Sequence, residues 1–99
     1  MLIHRDIYEI TADQTPIQWA KVRGRIRKFS TENGYNCLTE NDQFNEKLVR
    51  FAVPTDESIE NITQYIVSII PDARITQVMT DIPNPVLSKL NINDSRRYD

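Results

Sequence analysis

The chain reads as a small α+β sandwich with the element order βαββαβ. Three observations predict it. Two segments carry apolar residues at the helical period, and four others alternate or run apolar over strand lengths. These segments follow one another as strand, helix, strand, strand, helix, strand. The 99 residues are also enough for only one core.

The first strand is expected over Leu2 to Ile10, and the first helix from Pro16 to a stop at Asn33-Gly34. The segment "KVRGRIRKF", residues 21 to 29, sets five cations in nine positions and reads two ways. As a strand it would place Lys21, Arg23, Arg25 and Arg27 in one row. As a helix it gathers Trp19, Val22, Ile26 and Phe29 into one arc of about 80°, with every cation outside it. The boundaries favour the helix: Thr15 is a good N-cap, Pro16 suits the first helical position, and Asn33-Gly34 makes a left-handed stop. Arg27 and Lys28 are expected in its closing turns, facing the negative end of the dipole. Gly24 opposes the helix by about 1 kcal/mol relative to alanine.

Strands two and three are expected over Tyr35 to Glu40 and Lys47 to Val53, joined by the polar loop "NDQFNE". Strand three alternates, with Val49, Phe51 and Val53 on the core face and Leu48, Arg50 and Ala52 on the open one. The second helix, in "TDESIENITQYIVSII", unites Ile59, Ile62, Tyr65, Ile66, Ile69 and Ile70 on one side. Thr55 or Asp56 would cap it, Asp56, Glu57 and Glu60 would complement its dipole, and Pro71 would end it. Strand four is expected over Arg74 to Ile82, with Val78, Thr80 and Ile82 set against Gln77 and Asp81. Two right-handed crossovers would then give an antiparallel sheet with both helices on one face, a ferredoxin-like sandwich. The rival takes residues 17 to 29 as a strand and yields an OB-fold-like β-barrel with one helix. Residues 1–93 are read as one α+β domain and 94–99 as a polar C-terminal tail.

Composition sets the class. With 39% hydrophobic and 26% charged residues, the chain is too apolar for disorder and too interrupted for a membrane span. The longest apolar run, "YIVSII", is far below the ~18 residues a span needs. "MLIHRDIYEI" lacks the apolar stretch of a secretory leader, so the expected compartment is cytoplasmic or nuclear. The single cysteine, Cys37, offers no disulfide framework and reads as a small core residue.

Catalytic constellations are missing. His4 is the only histidine, and no serine sits in a nucleophile-elbow context. One His and one Cys cannot close a zinc site, and Glu40, Asp42 and Glu46 read as a solvated loop without calcium-loop spacing. Two glycines exclude phosphate-cradling and dinucleotide loops. Acylphosphatases share the element order, but they need a glycine-rich, arginine-bearing loop after strand one, where this chain has "TADQTP". RNA-recognition domains share it too, but they need open-face aromatics on strands one and three; here Phe51 has core parity and only Tyr8 remains. No enzyme activity, cofactor or metal is therefore expected.

Charge is the informative feature. Residues 1–30 hold six cations and three acids, whereas the remainder holds six cations and eleven acids. A domain of this class with no catalytic chemistry is expected to act as a protein-interaction or regulatory module, through a partner or a second copy. The alternative is nucleic-acid binding through the basic segment 21–28, and in either case the candidate residues are Lys21, Arg23, Arg25, Arg27 and Lys28.

Overall fold

A computed structural model of the chain describes residues 3–15, 17 and 21–83. Its elements are β1 (His4–Ala12), α1 (Val22–Glu32), β2 (Leu38–Asn41), β3 (Val49–Pro54), α2 (Glu60–Ile69) and β4 (Ala73–Pro83). The strands form one sheet in the order β2-β3-β1-β4 with every pairing antiparallel. This is the ferredoxin-like sandwich, in which each helix connects two strands with a third strand between them. The helical α1 and the open sheet exclude the barrel alternative.

One core joins both helices to one sheet face. Tyr8, Ile10 and Ala12 of β1 and Val49, Phe51 and Val53 of β3 meet Val22 and Ile26 of α1 and Ile62 and Ile66 of α2, together with Ile17 and Ile70. Phe29 lies at the rim of this core rather than inside it. Its ring stacks on Tyr65 of α2 at 4.4 Å between centroids and on Tyr35 at 5.9 Å. Trp19 and Pro16, expected to belong to α1, lie outside the described residues.

Helix α1 starts later than its expected boundary residues, Thr15 and Pro16, suggest. Thr15 does not cap it. Its hydroxyl and the backbone N–H groups of Gln14 and Thr15 all donate to the Asp72 carboxylate at the entrance to β4. The helix begins instead after Lys21, which stands in the left-handed region at φ 59°. The Asn33-Gly34 stop forms as expected, with Gly34 at φ 74°. The N–H of Tyr35 reaches back to the Ser30 carbonyl at 2.8 Å and that of Gly34 to the Thr31 carbonyl, and the Phe29–Tyr35 stack is the apolar contact that accompanies such an end.

The start of α2 also moves. Thr55 is taken by Asp6, to which its hydroxyl donates at 3.0 Å, and Glu57 N–H closes a turn onto the Pro54 carbonyl. The first helical turn therefore keeps Glu60 and leaves Asp56 and Glu57 ahead of it. The end before Pro71 stands.

Two expectations about the sheet are corrected. Tyr8 does not face outward: it is the cross-strand partner of Phe51 and stacks on it at 5.1 Å inside the core. The alternation predicted for β4 breaks because its pairing with β1 shifts register twice, between Arg5 and Ile7 and between Ile7 and Tyr8. Ile75 reaches the helix-side core and Val78 the outer face, as alternation requires, but Met79 joins its neighbour Val78 and Ile82 against Ile7 and Ala52 behind the sheet. That outer face is not open. Ile7 and Ala52 are fully buried, and Leu48 and Arg50 are 5% and 6% exposed.

Candidate functional site

The five sequence candidates lie together on α1 and its first flanking residue, and all five are exposed. Burial of Val22 and Ile26 sets the rotation of the helix. With that face down, the helical period puts Arg23 and Arg27 on one flank, Lys21, Arg25 and Lys28 on the other, and Gly24 and Thr31 along the ridge. The first flank lies toward β2, because the Thr39 hydroxyl donates to the Arg23 carbonyl at 3.5 Å.

This charge arrangement opposes the helix that carries it. No acid stands in the first turn of α1, which holds Arg23 and Arg25, and no cation stands in its last turn, which holds Glu32. Arg27 and Lys28 do not stand in the closing turn as the sequence suggested: α1 ends at Glu32, and both fall before its last turn. Cations at the positive end and an acid at the negative end are each unfavourable by some tenths of a kcal/mol. The like-charged pairs Lys21/Arg25 and Arg23/Arg27, four residues apart, add about 0.2–0.5 kcal/mol each.

The remaining described arginines are engaged. Arg50 donates from Nε to Glu9 at 3.2 Å and from Nη1 to Asp42 at 2.7 Å. Arg74 pairs with Asp13, and Arg5 donates to Asn36 at 2.8 Å. His4 is a surface group, with Nδ1 3.1 Å from Asp81. Among the described residues, none of the five α1 cations makes an ion pair.

Two acidic centres that sequence reasoning missed organise the rest. Asp6 Oδ1 accepts from the Thr55 and Thr80 hydroxyls and from the N–H of Asp81, which stands at φ 58° in the irregular part of β4. Burial raises the Asp6 carboxyl, but these hydrogen bonds outweigh it and hold the group below its ordinary value of 3.8. No local pattern announces this centre, since its donors lie 49 to 75 residues away.

Asp42 is the second, and it is not merely solvated. It accepts the N–H groups of Phe44 and Asn45 at 2.9 and 2.8 Å while holding Arg50. Burial raises its carboxyl, and the contacts with Arg50, Phe44 and Asn45 bring it below its ordinary value. Here a signal existed: an aspartate leading "DQFN" is the pattern of a side chain that caps its own turn. The turn carries Phe44, whose residue surface is 87% exposed.

Cys37 is half-buried against the core, and burial pushes its thiol up to about 11. Among the described residues no group of three or more His, Cys, Asp or Glu is placed to hold a metal. No helix among them is long and apolar enough to cross a membrane. The chain matches no protein-family model, no curated protein and no solved structure.

Proposed function

We propose that this chain is a non-enzymatic protein-interaction module whose docking face is α1, and that it binds an acidic protein surface. One observation carries the reading. Lys21, Arg23, Arg25, Arg27 and Lys28 are exposed and without ion pairs among the described residues, on a helix whose own electrostatics they oppose. Folding gives no reason for that placement, whereas an acidic partner supplies one.

Nucleic acid is the second reading, because exposed cations on two flanks of one helix also suit phosphates. It is the weaker one. Tyr8 and Phe51 stack on each other inside the core, so the sheet supplies no base-stacking platform from these positions.

Affinity purification of the tagged chain from its own cells, with and without nuclease, tests both readings. The expected result is a protein partner that survives nuclease and is lost from the Arg23→Glu/Arg27→Glu variant. Binding that nuclease removes, with a slope of log affinity against log salt of roughly 0.7 to 0.9 per engaged cation, would establish the second reading instead.

A further inference from the structure

The β2–β3 turn complements α1. It spans residues 42 to 48 and is held from inside: Asp42 takes the N–H groups of Phe44 and Asn45, Asn45 Oδ1 takes that of Lys47 at 3.0 Å, and the N–H groups of Leu48 and Asp42 bond the Asn45 and Leu48 carbonyls at 3.1 Å. Arg50 fixes Asp42 to the sheet. This ordered turn presents an exposed phenyl ring, followed by the exposed Glu46 and Lys47. A large aromatic on a pre-organised element loses little entropy on docking and is a common anchor of an interface.

The matching seat is on α1. Gly24 lies on the ridge between the two cation flanks, and a Cβ built there would meet nothing within 4 Å. Neither crowding nor a left-handed backbone requires glycine at this position, although it costs about 1 kcal/mol relative to alanine. Its absent side chain leaves a flat strip on which a ring can lie with guanidinium groups beside its face. The turn and the start of α1 lie at the same end of the sandwich, since Arg23 touches Thr39 and Asn41 is the last residue before the turn.

We propose that the acidic partner is a second copy of this chain, with Phe44 of each copy seated over Gly24 of the other and Glu46 facing the cations of α1. This rests on the reading of α1 as the docking face and gives it an occupant. Because both halves of the contact sit at one end of the molecule, a two-fold axis makes the contact reciprocal.

Sedimentation velocity of the full chain, from roughly 1 μM to 1 mM, tests it. The expected result is a dimer at low salt that dissociates at 1 M salt, where the screening length falls to ~3 Å. Phe44→Ala removes an anchor from each of the two reciprocal contacts and should weaken dimerisation about 1,000-fold, roughly 30-fold per anchor. Arg23→Glu/Arg27→Glu should abolish it. Mixing these two variants should restore a dimer, because one of the two reciprocal contacts then survives. Gly24→Ala separates docking from folding: it should raise the melting temperature and weaken the dimer. A chain monomeric throughout this range, or a dimer indifferent to Phe44→Ala, would overturn the proposal. Oligonucleotide binding by a monomeric wild type, lost in the arginine variant, would overturn it too. In either case an acidic partner lost with Arg23 and Arg27 would leave the docking role of α1 standing.

Discussion

Arg50 and the arginines of α1 share a side chain and differ in what the fold asks of them. Arg50 is 6% exposed behind the sheet and carries Glu9 and Asp42 on one guanidinium. Arg23, Arg25 and Arg27 stand in solvent with no such partners among the described residues. The contrast teaches that burial with pairing makes a cation structural, whereas exposure without pairing leaves it available. Stability measurements should therefore separate the two groups sharply.

Arg50→Ala is the largest expected effect. It strands two carboxylates that are mostly covered, and breaking a buried ion pair from one side costs about 3 to 5 kcal/mol. Chemical denaturation would show this as a lowered midpoint. A midpoint shift no larger than that of the α1 variants would break the comparison.

Asp6 extends it to a buried anion. Asp6→Ala leaves the Thr55 and Thr80 hydroxyls and the Asp81 N–H without their acceptor, a loss of about 2 to 3 kcal/mol. The same centre sets an acid limb. A carboxyl whose folded pKa lies below its unfolded one binds fewer protons when folded. Its contribution is therefore complete above the ordinary value of 3.8 and is lost as pH falls through the folded value. Asp42 shares this direction. So does Asp72, lowered chiefly by the Gln14 N–H and the Thr15 hydroxyl. Melting temperature should fall steeply below about pH 4, and Asp6→Asn should flatten that limb by removing one of the three carboxyls.

The smallest effect sharpens the contrast most. Arg23→Glu/Arg27→Glu should change stability by no more than ~0.5 kcal/mol per site, and relief of the adverse dipole should favour the variant. A loss of several kcal/mol would make these residues part of the fold and remove the ground for their docking role.

The anchor and the seat were unequally legible. The α1 cations could be placed on an exposed face from Val22, Ile26 and Phe29 alone, because a helix rotates as one body about its apolar stripe. Phe44 passed unnoticed inside a polar loop, since its exposure depends on a turn closed by Asp42 and tied to Arg50.

What the sequence by itself determined is whatever one element decides within itself. The helical period of "KVRGRIRKF", the Asn33-Gly34 stop, the alternation of Val49, Phe51 and Val53 and the stripe of Ile62, Ile66 and Ile70 are local, and they sufficed for the element order and the ferredoxin-like class. Only the tertiary structure decided where side chains find distant partners. Thr15 left the start of α1 for Asp72, Thr55 left the start of α2 for Asp6, Tyr8 turned inward onto Phe51, and β4 broke its alternation where Thr80 and Asp81 meet Asp6. A hydrogen-bonding side chain goes to whichever donor or acceptor the fold brings near it, and residues 49 to 75 positions apart leave no periodic trace of that meeting in the sequence.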